Sequence, residues 1–163
     1  MTWLDRLTRF LNRLLVFCGG TFLIGMIGLT CANIASRTVL GPVRGTFELM
    51  GYFGAVVTAS ALAYTQLNRG HIAVNVLINR FSKKTQQRLN AFNNLVCTLF
   101  FALVAWQIAL KAHGFMKTGE VSETLRMIFY PFTYGVAIGC GVLALVFLVD
   151  WLQAVRVRNG AAQ

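Results

Sequence analysis

The sequence predicts an all-α integral membrane protein with four transmembrane helices, and three observations carry that prediction. Only 12% of the 163 residues are charged and 56% are hydrophobic, whereas a soluble domain is roughly 25% charged. Four uncharged stretches each reach the length of about 20 helical residues that a hydrocarbon core of about 30 Å requires. The basic residues gather at the ends of these stretches rather than along them. Strands are the poorer alternative, because the apolar runs are continuous rather than alternating and an open sheet would leave backbone groups unpaired in lipid.

The first span is expected at 14–36, the 23 uncharged residues between Arg13 and Arg37. Basic residues followed by an apolar run imitate a signal peptide. The run is too long for one, however, and no A-x-A site follows, so the segment is expected to be retained. A lipoprotein cleavage site at Cys18 is disfavoured by the bulky Phe17 before it. The second span is expected at 49–68, between Glu48 and Arg69. Gly41, Pro42 and Gly45 suit a tight reversal, which makes the first two spans a hairpin. The third span is expected at 89–110, between Arg88 and Lys111, and the fourth at 127–149, between Arg126 and Asp150. Residues 1–163 then form a single membrane domain.

Between the second and third spans, Asn68, His71, Asn75, Asn79 and Ser82 recur at spacings of 3, 4, 4 and 3. This is one polar helical stripe, surrounded by Ile72, Val74, Val76, Leu77, Ile78 and Phe81. It predicts an interfacial amphipathic helix over about 70–82, lying flat at the membrane surface. His71, Arg80, Lys83, Lys84 and Arg88 are the candidate lipid-anchoring residues, since a basic side chain near anionic headgroups contributes about 1 kcal/mol. A plainer role, in which these charges only set topology, is compatible with it.

The net charge of +10 raises the question of nucleic acid, but the placement of the 15 Lys and Arg residues argues against that partner. Ten flank the spans on one side: Arg6, Arg9, Arg13, Arg69, Arg80, Lys83, Lys84, Arg88, Arg156 and Arg158. Five lie on the other: Arg37, Arg44, Lys111, Lys117 and Arg126. The positive-inside rule then places both termini and the middle loop in the cytoplasm, with the chain in a bacterial inner membrane.

Gly51, Ala55, Ala59 and Ala63 stand four apart on the second span, and Gly135 and Gly139 repeat the spacing on the fourth. These are candidate helix-packing faces, toward the chain's own helices or toward a partner subunit. The outer segments offer Arg37, Arg44, Glu48, Lys117, Glu120 and Glu123 as candidate docking residues, with a merely solvated connection as the plain alternative. Asn33, Asn93, Asn94 and Gln107 are expected to join helices by hydrogen bonds.

Enzymes and ion-coupled carriers need ionisable groups, metals or broken helices near the bilayer midplane, and the spans offer no such set. His71 and His113 fall at opposite ends of the membrane, which disfavours haem ligation. Cys18, Cys31, Cys97 and Cys140 lie within spans without a C-x-x-C pair and are expected to be packing residues. No catalytic, substrate-binding or metal-binding residue and no cofactor is expected.

The stretch S-R-T-V-L-G-P-V-R-G-T-F-E-L-M-G-Y-F from Ser36, and A-L-A-Y-T-Q-L-N-R-G-H-I-A-V-N-V-L-I-N-R-F from Ala61, carry a resemblance. So does S-E-T-L-R-M-I-F-Y-P, which brings Pro131 into the fourth span. In order and spacing the chain resembles the small membrane subunit, of DctQ type, of tripartite ATP-independent periplasmic (TRAP) transporters. Arg37, Glu48 and the H-I-x-V motif of His71–Val74 carry the match; Asn75 stands where the family often has an acidic residue. The resemblance implies a sodium-driven importer of organic acids, in which a periplasmic binding protein delivers substrate to a membrane complex. A large polytopic subunit would hold the substrate and sodium sites. This chain would brace that subunit and help dock the binding protein. The alternative from a different class is an anchor or accessory subunit of a respiratory or other membrane enzyme.

Overall fold

The computed structural model describes residues 3–39, 41, 43–68 and 82–160. Four helices fill it: α1 (Trp3–Val39), α2 (Thr46–Leu67), α3 (Lys83–Thr118) and α4 (Tyr130–Gly160). All four are long and apolar enough to cross a membrane. The expected interfacial helix over 70–82, with His71 and Arg80, lies outside the described residues apart from Ser82.

Local chemistry sets the helix ends. Ser82 caps α3, its hydroxyl accepting the Thr85 N–H at 3.4 Å, and Gly119 closes it in a left-handed conformation (φ 66°) that glycine adopts without a steric penalty. Pro131 occupies the first turn of α4, where its missing N–H leaves no intrahelical bond unmade. That helix starts three residues inside the apolar run 127–149. Met127 and Ile128 are instead drawn into the preceding segment, where Ser122 N–H donates to the Met127 carbonyl at 2.9 Å and Val121 pairs antiparallel with Ile128. At about 1.5 Å per residue, the 37 residues of α1 and 36 of α3 reach about 55 Å, well beyond the hydrocarbon core.

Successive helices run antiparallel. One end of the molecule therefore carries residues 3–13, Asn68, Ser82 and Asp150 (the terminal end), and the other carries residues 41, 43–48 and 119–129 (the loop end). α1 and α2 pack as the expected hairpin, α3 packs on α4, and α2 packs on α4, with a lighter contact between α1 and α4. The spatial order is therefore α1, α2, α4, α3, a bent row rather than a closed bundle. α4 is its most buried member.

Between lipid-immersed helices the hydrophobic effect gives little net drive, so close packing and hydrogen bonds hold them together. At the α2–α4 crossing a Cβ on Gly139 would lie 2.8 Å from the Ala59 Cβ and 3.0 Å from the Ala59 carbonyl atoms. At the α1–α2 crossing a Cβ on Gly19 would lie 2.9 Å from the Ser60 Cβ. Both contacts need glycine. Toward the terminal end, Ala63, Val142, Leu143 and Phe147 form the buried core, with Phe101 of α3 stacked on Phe147 at 5.8 Å. The Gln66 amide donates to the Asp150 carboxylate at 3.0 Å, joining α2 to α4 there.

The small-residue ridge on α2 is split. Ala59 and Ala63 are buried, whereas Gly51 and Ala55 are exposed. A four-residue step advances about 400° around a helix of 3.6 residues per turn, so the ridge drifts about 40° per step and its first half rotates off α4. Gly139 is in the crossing, and a Cβ on Gly135 would meet α2 more loosely, 3.5 Å from Val56 Cγ2. Of the four cysteines, Cys140 is buried and Cys97 half-buried, as packing residues should be. Cys18 and Cys31 are exposed on α1.

Candidate functional site

Hydrogen bonds tie the loop end into one unit. The Asn33 side chain, near the end of α1, accepts the Val43 N–H at 3.0 Å. The Val43 carbonyl in turn accepts the hydroxyl of Thr46, the buried first residue of α2, at 2.8 Å. One turn on, the Glu48 carboxylate accepts the backbone N–H groups of Thr124 at 2.8 Å and Leu125 at 3.3 Å. A carboxylate in the first turn of a helix is favoured by the exposed N–H groups and dipole at that end, and charge-assisted bonds to backbone N–H are the stronger kind.

The segment that Glu48 holds is itself shaped by Ser122, which is buried. Its hydroxyl accepts the Met127 N–H at 3.3 Å and its carbonyl accepts the Arg126 N–H at 3.1 Å. The Leu125 side chain sits over Gly45, which precedes α2 at φ 77°; any Cβ on Gly45 would overlap it. Beneath, an aromatic belt joins all four helices. Phe22 meets Phe53 at 5.1 Å, Phe53 meets Phe132 at 6.0 Å, Tyr52 stacks on Phe132 at 5.5 Å and on Phe129 at 5.8 Å, and Phe115 meets Phe129 at 4.9 Å. Such pairs each contribute about 0.5–1.5 kcal/mol beyond the area they cover.

All six residues singled out for docking lie at this end. Arg37, Arg44, Lys117, Glu120 and Glu123 are exposed. Glu48 is half-buried and faces the chain's own loop. Exposed Phe47, Val121, Met127 and Ile128 lie among these charges. Ser122 and Leu125, which shape the platform, carry no local motif that marks them for this task; Asn33 and Gly45 stand out in the sequence only as a helix-joining amide and a turn glycine. Of the anchoring candidates, Lys83 and Lys84 fall in the first turn of α3 and Arg88 is exposed on it; His71 and Arg80 lie outside the described residues.

The family model for the DctQ component of tripartite ATP-independent periplasmic transporters matches residues 26–157. The chain belongs to the DctQ family. It is accordingly the small subunit of a TRAP transporter, a multi-pass inner-membrane protein and a transport component rather than an enzyme. The matched region contains the whole loop end, the α2–α4 crossing and the Gln66–Asp150 link of this DctQ chain, and begins midway along α1. No curated protein and no solved structure matches it.

Proposed function

We propose that this DctQ chain serves a sodium-coupled importer of organic acids, bracing the large polytopic subunit in the bilayer and presenting its loop end to the periplasmic substrate-binding protein. The observation that carries the docking role is the clip between Glu48 and the Thr124 and Leu125 N–H groups. It fixes a loop that is exposed and charged into a preorganised surface, and preorganisation reduces the ordering cost of binding. In this arrangement Arg37, Arg44, Lys117, Glu120 and Glu123 meet the binding protein, while Glu48 holds the surface in shape. Both termini lie in the cytoplasm, a reading supported by the sequence, in which ten basic residues flank the spans on the side of the termini and five on the other. Substrate and sodium are bound by the large subunit.

Two features support the bracing role. Asn93 and Gln107 are exposed on α3, at the edge of the row, and polar side chains in lipid favour association with another helix. Lys83 and Lys84 stand in the first turn of α3, a turn that contains no acidic residue. Cations there oppose the helix dipole, and anionic headgroups offset that repulsion.

Affinity isolation of the tagged chain from native membranes in mild detergent, with mass spectrometry of the companions, tests the subunit assignment. Recovery of a many-span membrane partner is expected; recovery of a redox enzyme would point instead to an anchor subunit. Charge reversal at Glu120 and Glu123 together is expected to lower uptake while leaving membrane insertion intact. Unchanged uptake in that variant would remove the docking role.

A further inference from the structure

The two edges of the row differ in what they show to lipid. α1, at one edge, exposes no side-chain amide: Asn12 is buried, and Asn33 accepts the Val43 N–H. α3, at the other edge, exposes two within its span, Asn93 and Gln107, and neither side chain hydrogen-bonds among the described residues. They stand 14 residues apart, about 21 Å along the axis. Each lies about 10 Å from the middle of the uncharged run 89–110, inside a hydrocarbon half-thickness of about 15 Å. Acyl chains offer neither donor nor acceptor, so an amide at this depth is satisfied by another helix.

Leu89, Val96, Phe100, Leu103 and Leu110 accompany the two amides, all of them exposed. With Asn93 and Gln107 they advance in alternating steps of four and three residues. That is the 3.5-residue repeat of a left-handed helix pair, in which each such side chain enters a gap in the facing helix and an occasional polar residue fixes the register. Cys97 and Phe101, by contrast, pack inward against the core around Leu143 and Phe147. The outer seam of α3 is therefore complete but has no facing helix among the described residues.

Charge decides what kind of helix fits. α3 contains Lys83, Lys84, Arg88, Lys111 and Lys117 and no acidic residue. A second copy running parallel would set these like charges side by side. A second copy running antiparallel about Phe100 would match Asn93 with Gln107, but only by inverting one chain in the membrane, against the ten-to-five division of basic residues. We infer that the α3 seam seats one transmembrane helix of the large polytopic subunit, at a crossing angle of about 20°. That helix carries hydroxyl or amide side chains at the levels of Asn93 and Gln107, and acidic residues at its two ends, near Arg88 and Lys111. This seat rests on the bracing role proposed above, and adds to it the helix, the register and the chemistry of the contact.

The test keeps the full chain in native membranes. A photo-crosslinking residue replaces Val96 or Leu103 on the seam, or Ile24 on the exposed side of α1, and the products are identified by mass spectrometry. Val96 and Leu103 should capture a many-span membrane protein, and Ile24 should not. In the tagged chain, Asn93→Leu together with Gln107→Leu should weaken co-isolation of that protein about tenfold, as expected for two interhelical hydrogen bonds in lipid. The unfolding midpoint of the isolated double variant in micelles should stay unchanged, since neither amide bonds within the chain. Capture of a second copy at Leu103, capture from Ile24 alone, undiminished co-isolation of the double variant, or a lowered midpoint would each overturn the seam and leave the subunit reading standing. Recovery of no many-span protein, from any position or with the unsubstituted tagged chain, would overturn both.

Discussion

Gly139→Ala is expected to push α2 and α4 apart at their crossing. The new methyl would arrive 2.8 Å from the Ala59 Cβ and 3.0 Å from the Ala59 carbonyl carbon and oxygen. A side-chain end could swing away; backbone in the middle of a helix cannot, so the helices must separate or rotate. Overpacking of this kind typically costs about 1–3 kcal/mol. Against it stands the better helix propensity of alanine, about 1 kcal/mol over glycine. Gly141 isolates that second contribution, because a Cβ there meets nothing within 4 Å. Gly141→Ala should therefore leave stability unchanged or raise it, and Gly139→Ala should fall about 1–3 kcal/mol below Gly141→Ala. Gly135→Ala, whose nearest neighbour is Val56 Cγ2 at an ordinary 3.5 Å, should resemble Gly141→Ala. Unfolding in mixed micelles by increasing dodecyl sulfate, followed by far-ultraviolet circular dichroism, measures all three. Adding Ala59→Gly to Gly139→Ala should restore part of the loss, because it removes one of the three close atoms and leaves two. Equal stability of Gly139→Ala and Gly141→Ala would refute the claim that this crossing sets the α2–α4 spacing.

Glu48→Gln should release the loop end, read as faster amide hydrogen exchange at Thr124 and Leu125 with the transmembrane helices still protected; unchanged exchange would mean that the clip does not hold the loop. Neutralising Lys83, Lys84 and Arg88 should lower stability more in anionic lipid than in zwitterionic detergent, by about 1 kcal/mol per residue removed, and equal loss in both would count against lipid anchoring. Gln66→Leu should destabilise the α2–α4 pairing by about 1 kcal/mol in the same unfolding assay, and a neutral result would show the Asp150 link to be dispensable.

Much of this architecture is legible in the sequence because it is written locally. Charge-free runs between Arg13 and Arg37 or between Arg88 and Lys111 mark where α1 and α3 cross the bilayer, but not their full lengths of 37 and 36 residues, because charged residues beyond a span do not stop a helix; the glycines at 41 and 45 announce the first hairpin. Four-residue spacing identified Ala59, Ala63 and Gly139 as packing positions, but spacing alone does not say where along a drifting ridge the contact ends, and Gly51 and Ala55 lie beyond it. The remainder depends on contacts between distant parts of the chain. Glu48 meets an N–H 76 residues away, Gln66 meets Asp150 across 84 residues, and Met127 looks like the start of a span until Ser122 pairs with it. Asn12, one polar residue among arginines, gives no local sign of being buried.

The order of the helices in space bears on how the protein is made. α1 and α2 can close on each other as soon as both have left the ribosome, and the α2–α4 seam cannot form until the fourth helix emerges. α3, whose packing partner is α4, must wait in the bilayer meanwhile with its flanks uncovered. Assembly thus becomes the union of two hairpins along a single seam, with Gly139 against Ala59 as the fit that completes it. A newly made chain arrested before residue 130 would hold one finished hairpin and one unpaired helix, open to capture by a neighbouring subunit that is still being inserted.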